Sequence, residues 1–390
     1  MNLEERFDCD RLVQTACDEV GHDDFGGDEW QSGLHRVIYG LVNEARLSPL
    51  GVEIAHADIM RALKNRLGIM AWRTSHPEVT AERVTQPIFI LGQPRTGTTI
   101  LYDLLCQDPQ LRAPLTWEVD EPCPVPQPDT YDSDPRIAQV QASIEMSEQI
   151  MPGFLAHHPM GALVGQECVR ITASEFTSMI FSVQYRIPSY QQWWLHESDQ
   201  AAAYRFHRIF LQHLQSGVAG QWLLKSPAHT WHLDALLNEY PDAVVVQLHR
   251  DPLNVISSIA ALTHHLRKMS SDESSIADCA AQSVEEITVG LAREMDLRDR
   301  GVIPPDRIVD VRFSDFMTDP WSTIKGIYRK LGRELSPASE NKMRAFLASH
   351  PSDGGGKRYT WSDTGLDAAE VRERVRAYQE RYDVPTESLR

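Results

Sequence analysis

Long apolar runs are missing. Nowhere in the 390 residues do eighteen apolar residues stand together, so no segment reads as a membrane-spanning helix. Cysteine is sparse: Cys9, Cys17, Cys106, Cys123, Cys168 and Cys279 are scattered with no C-x-x-C pair. That spacing speaks against a zinc site or a disulfide framework and fits reduced thiols in a cytosol. Net positive charge is also lacking, with a formal charge of −17. The first thirty residues alone hold ten Asp or Glu against two Arg. Such a chain repels a phosphate backbone, so no nucleic-acid partner is expected, and any anionic ligand must be held by a few local cations. The opening MNLEERFDCD has no basic start leading into an apolar run, so no secretory signal is expected and the protein reads as soluble and cytoplasmic. Internal repeats and long low-complexity tracts are absent as well.

What is present is ordinary globular composition, 42% hydrophobic and 24% charged, in a chain long enough for one large domain or two. The first 85 or so residues carry apolar residues at three- and four-residue spacing, which predicts helices over 33–43 and 53–72. Then the period changes. Pro87-Ile-Phe-Ile-Leu-Gly92 is a short β-rich apolar run closed by a glycine, the pattern of a buried parallel strand. Similar runs lie at 221–224, 243–249 and 307–313, separated by helical patterns at 201–215, 252–266, 276–300 and 320–331. Residues 121–135, rich in Pro and Asp, predict a loop, and 366–382 a last helix. Strands alternating with helices imply an α/β fold: a P-loop-like three-layer arrangement with a central parallel sheet flanked by helices. The expected division is an N-terminal helical extension over 1–85, packed on the core, and an α/β domain over 86–390.

Gly92-Gln-Pro-Arg-Thr-Gly-Thr-Thr99 follows the first strand and opens a helix predicted over 100–106. A glycine-flanked turn at a helix start offers backbone N–H groups and the positive end of the helix dipole to an anion. Gly92 and Gly97 have the spacing of a nucleotide P-loop, but Thr98 stands where that motif has its lysine. The missing lysine argues against a nucleoside triphosphate and for an anionic group bound without metal. Arg95, Thr96, Gly97, Thr98 and Thr99 are the candidate ligands. A second strand-to-helix turn, Leu248-His-Arg-Asp-Pro252, puts Arg250 at a strand's carboxyl end and Ser258 two turns along the next helix, where both can face the same crevice.

Together with Leu223-Leu-Lys-Ser-Pro227, these elements resemble the PAPS-dependent sulfotransferases, in particular the bacterial branch with a P-R-[ST]-G-T-T loop. The resemblance covers roughly residues 87–382 and includes Val311-Arg-Phe-Ser-Asp-Phe followed by Asp319-Pro320. It implies a co-substrate, 3′-phosphoadenosine 5′-phosphosulfate (PAPS), released as adenosine 3′,5′-bisphosphate, with no metal. It also implies that the loop cradles the 5′-phosphosulfate and that an Arg and a Ser eight residues on, here Arg250 and Ser258, grip the 3′-phosphate. Lys357 and Arg358, in Gly354-Gly-Gly-Lys-Arg-Tyr359, match a basic C-terminal loop that completes the nucleotide site.

Sulfuryl transfer needs a cation at the bridging and leaving oxygens and a base at the acceptor hydroxyl. Arg95 stands where many relatives carry a Lys, and Lys225 matches a family Lys that assists the sulfonate. The animal cytosolic enzymes place a His two residues after that Lys, but this chain has Pro227. Other members use a Glu some twenty residues beyond the loop. Glu118, beside Trp117, is therefore the first candidate base, and partial desolvation there would strengthen it. His229 is the second candidate, and His157 and His158 the third. The stretch from His264 to Ser275 is either a lid over substrate or a plain connection. Tyr185, Tyr190, Trp193 and Trp194 either line an apolar pocket for a small-molecule acceptor with a hydroxyl group or belong to the core. Two other readings compete with the transferase: a P-loop-type kinase or phosphotransferase, and a nucleotide-binding protein without turnover.

Overall fold

A computed structural model describes residues 2–150, 160–349 and 360–389. The backbone forms two compact units, and they do not follow a single cut near residue 85. One unit gathers Met1–Val84, Pro114–Gly220 and His265–Ser274; the other gathers Thr85–Ala113, Gln221–His264 and Ser275–Arg390.

The second unit holds a five-stranded, all-parallel sheet in the order β2-β3-β1-β4-β5, built from β1 (Ile88–Gly92), β2 (Leu111–Arg112), β3 (Gln221–Lys225), β4 (Val244–His249) and β5 (Ile308–Arg312). Every residue of β1 is buried, which explains its unbroken apolar sequence: a central strand covered on both faces has no side to spare for polar groups. Alternate residues Ile88 and Ile90, with Leu223, Val246, Leu248 and Val311, pack on Leu101, Leu104 and Leu105 of the helix Thr98–Leu105 and on Ile324 and Ile327 of the helix Pro320–Lys330. Each such side chain contributes about 1.5–3 kcal/mol by leaving water. Asp108, just past the first of these helices, is buried and accepts from the Tyr328 hydroxyl (2.6 Å) and the Ser339 hydroxyl (3.1 Å), tying three helices at one carboxylate.

Register sets out the functional edge. Gly92 pairs with Leu248, and Ile90 with Lys225. The carboxyl ends of β3, β1 and β4 therefore stand side by side. The chain leaving β1 runs towards β2, whereas the chain leaving β3 crosses β1 to reach β4, and ligands of open α/β sheets bind at such a reversal.

The first unit is helical, with Cys9–Val20, Trp30–Asn43, Pro49–Ser75, Pro135–Ile150 and Gln200–Gly217 as its longer members. Arg66 and Glu175 form an ion pair in its interior, and Arg66 Nε also donates to the Phe25 carbonyl at 2.8 Å. The four aromatics proposed for an acceptor pocket are buried core here: Tyr185 donates to Asp58 at 2.7 Å, and the Tyr190 hydroxyl bridges the Phe176 and Ser178 carbonyls. Of the stretch from His264 to Ser275, the first four residues finish the helix Pro252–Arg267. Beyond them the Ser270 carbonyl accepts from Ser48 N–H at 2.9 Å, and the Ser270 hydroxyl donates to the Gln184 carbonyl at 3.2 Å. A Cβ on Gly51 would fall on that same carbonyl. These contacts at Ser270 anchor the middle of the stretch, as expected of a plain connection.

Candidate active site

The loop 92–99 turns where its glycines let it. Gly92 and Gly97 have φ of +148° and +92°, which a side chain resists. A Cβ on Gly92 would lie 2.6 Å from the Leu248 carbonyl, and one on Gly97 would lie 2.7 Å from the Phe313 ring. Arg95 is also left-handed, with φ of +68°. A non-glycine residue in that region costs about 1–3 kcal/mol, and such strain is found mostly at binding and catalytic loops. Thr96 closes the turn by donating to the Gln93 carbonyl at 2.8 Å. The helix Thr98–Leu105 starts directly after, with its first N–H groups at the loop.

Four of the candidate side chains converge on this loop, all within the second unit. Arg95 Nε donates to Ser258 Oγ at 3.1 Å. Arg250 Nη1 donates to the Arg95 carbonyl at 3.0 Å, and its guanidinium lies over the Phe313 ring, 4.1 Å from the centroid. Lys225 Nζ donates to Thr99 Oγ1 at 3.2 Å and stands 5.4 Å from the Tyr102 ring centroid. Lys225 is almost wholly buried, so its ammonium is held at the loop and is not a solvated strand end. Three cations thus sit at the carboxyl edge of three adjacent strands in a chain that is otherwise acidic. Such a cluster has the charge to suit a strongly anionic ligand.

His249, the residue before Arg250, is structural. Its ring bonds the Tyr378 hydroxyl and Asp310 at 2.9 Å each and stacks on Tyr382 at 4.2 Å. His229 is buried on the 3₁₀ turn Pro227–Thr230, edge-on to Phe89 with centroids 5.0 Å apart.

Glu118 belongs to the first unit. It lies on the short helix Thr116–Asp120, fully buried. Its Oε2 accepts from Leu115 N–H and from the Tyr131 hydroxyl, both at 2.9 Å, so it caps its own helix while being steered by a phenol. Trp117, Val140, Ile144 and Ala162 form an apolar cluster around this helix, with Leu115, Tyr131 and Met160 packed on it. Lys357, Arg358, His157 and His158 lie outside the described residues.

Sequence reasoning missed Glu387, whose carboxylate takes Arg250 Nε and Nη2 at 2.9 Å each. Nothing in 384–389 (VPTESL) marks a partner 137 residues away in sequence; only folding brings the two together. A cavity of about 620 Å³ beside β5, lined by Arg298, Asp310, Arg312 and Arg381 among others, shares no residue with the loop cluster.

The Sulfotransferase family matches residues 87–337, more than half of the chain. Among characterised proteins, the omega-hydroxy-beta-dihydromenaquinone-9 sulfotransferases Stf3 of Mycobacterium bovis and Mycobacterium tuberculosis are each 25% identical over 275 residues, covering 68% of this chain and 67% of theirs. Among solved structures, sulfotransferase STF9 from Mycobacterium avium superposes with a TM-score of 0.89 at 27% identity, covering 97% of this chain and 98% of that one. STF1 from Mycobacterium tuberculosis H37Rv gives a TM-score of 0.83 at 30% identity, covering 94% and 97%. The family match over 87–337, with superposition on STF9 and STF1 over nearly the whole chain, leaves the kinase reading without support: the chain belongs to the sulfotransferase family.

Proposed function

We propose that the protein transfers a sulfuryl group from PAPS to the hydroxyl of a lipophilic small molecule, by in-line displacement and without metal. The observation that carries this reading is the convergence of Arg95, Lys225, Arg250 and Ser258 on one loop, linked by contacts of 3.0–3.2 Å. The cluster fits the donor's chemistry. It offers a loop of backbone N–H groups for the 5′-phosphosulfate and a guanidinium fork with a hydroxyl for the 3′-phosphate. PAPS supplies the activated sulfuryl group. As the acceptor oxygen bonds to sulfur, the bond from sulfur to the leaving phosphate oxygen breaks. Lys225 and Arg95 neutralise the charge that grows on that oxygen. Glu118 takes the acceptor proton, with Tyr131 and the Leu115 N–H holding its carboxylate in place. Lys357 and Arg358 are the further candidates for holding the nucleotide, on the family resemblance alone.

Two features support the acceptor class. The Glu118 helix is bedded in an apolar cluster, and Leu163 and Val164 next to it are exposed at 59% and 40%. The Stf3 relatives are named for a hydroxylated menaquinone. The cytoplasm suits the six cysteines, all free thiols. The test is transfer of labelled sulfuryl from PAPS to a panel of alcohols by the wild type and Glu118→Gln. The variant should turn over about 10²–10⁴ times more slowly while adenosine 3′,5′-bisphosphate affinity stays near wild type. Unchanged turnover removes Glu118 from the mechanism, and no transfer to any alcohol by the wild type removes the reading.

A further inference from the structure

Arg250 is held on three sides. Phe313 covers its plane, the Arg95 carbonyl takes Nη1, and the Glu387 carboxylate takes Nε and Nη2. Glu387 is itself fixed at both ends. Its backbone N–H donates to Asp251 Oδ2 at 2.8 Å. Asp251 is fully buried, forms a two-pronged pair with Arg372 on the helix Ala368–Tyr382, and caps the helix Pro252–Arg267 through Leu253 N–H. Just upstream, Val384 is buried and its N–H closes on the Gln379 carbonyl at 2.9 Å. Adjacent residues, Arg250 and Asp251, thus hold one tail residue by its carboxylate and by its main chain.

A guanidinium carries five N–H donors. Three of Arg250's are engaged by the described residues, which leaves one hydrogen on each of Nη1 and Nη2. An arginine restrained in plane and along one edge loses little freedom when an anion takes the rest, and that is the advantage of preorganisation. We propose that Glu387 is the positioning residue for 3′-phosphate recognition: it fixes the Nε–Nη2 edge of Arg250 so that the remaining donors meet the phosphate ready-oriented. The inference rests on the reading of Arg250 as the 3′-phosphate ligand.

Isothermal titration of the full chain with adenosine 3′,5′-bisphosphate and with 5′-AMP tests both levels, using wild type, Glu387→Gln and Glu387→Asp. Gln keeps the shape but removes the charge and turns an amide donor towards the guanidinium. It should weaken the bisphosphate about tenfold, as for one impaired charge-assisted contact, and leave 5′-AMP within about twofold. Glu387→Asp should recover part of the loss, and in turnover Glu387→Gln should raise the KM for PAPS with kcat little changed. Equal weakening of both nucleotides would reduce the tail to a structural strap. Tighter bisphosphate binding would make Glu387 a competitor that the phosphate displaces. Either result overturns the proposal while leaving Arg250 its role. A wild type that binds 5′-AMP as well as the bisphosphate overturns the assignment of Arg250 itself.

Discussion

Lowering the pH from 7.5 to 5.0 should cost this protein much of its stability, through three buried histidines. His207 and His213 are fully buried and His232 almost so. Burial pushes His207 and His232 down to about 3 and His213 to about 4, with Arg293 adding to the effect at His232. An unfolded chain protonates these rings near the ordinary value of about 6.5, whereas the folded chain keeps them neutral. The unfolded state therefore binds more protons throughout the window from about 6.5 down to 3–4. Stability is fully present above 6.5 and drains away as the pH falls through that window. At pH 5 each ring costs about 2 kcal/mol, at about 1.4 kcal/mol per pH unit below 6.5. The two rings of the helical unit, His207 and His213, together cost about 4 kcal/mol, a large share of the 5–15 kcal/mol that holds a typical domain folded. Carboxylates add their own linkage, so the decisive comparison is between wild type and His207→Gln. Urea unfolding followed by tryptophan fluorescence at both pH values should show the variant losing about 2 kcal/mol less than wild type. Equal losses would mean that His207 is not held neutral by burial, and the reasoning fails.

Gly97→Ala should destabilise the protein by about 2–4 kcal/mol, because a side chain at that φ is strained and its Cβ meets the Phe313 ring on which Arg250 rests. Thermal melting reads the stability, and a parallel loss of bisphosphate affinity should accompany it. Arg250→Ala should weaken adenosine 3′,5′-bisphosphate about 10–100-fold with little effect on 5′-AMP, as expected when contacts worth about 1.5–3 kcal/mol are lost to one phosphate only. Equal loss for both nucleotides, read by titration calorimetry, would misplace the 3′ end.

Much of the sheet was legible because strands covered on both faces, such as β1, write themselves as unbroken apolar runs, while the edge strand β5 shows only a partial one broken by Asp310. The runs at 87–92, 221–224, 243–249 and 307–313 all became strands within a residue or two of their expected ends. The loop cluster was legible for a related reason: glycines and cations between a strand and a helix have few other uses. What escaped was whatever lacked period or local meaning. β2 is two residues long, Leu111–Arg112, and has no pattern to show. The helix Pro135–Ile150 buries only Val140 and Ile144 among its described residues, so its sequence shows no clear stripe. Glu118 was legible as a candidate, yet its capping bond to Leu115 and its bond to Tyr131 depend on tertiary placement. Glu387 lay in a polar tail whose partner sits in another part of the chain. Trp193 and Trp194 look the same in sequence whether they line a pocket or fill a core.

The strand order has a consequence for synthesis. β1 is apolar along its whole length, and both its neighbours, β3 and β4, are encoded far downstream, at Gln221–Lys225 and Val244–His249. At about 5–20 residues per second, a ribosome needs roughly 10–30 s to deliver β4 after β1 has emerged. For most of that interval neither strand edge of β1 has its native partner, an invitation to wrong pairing that a chaperone would have to screen.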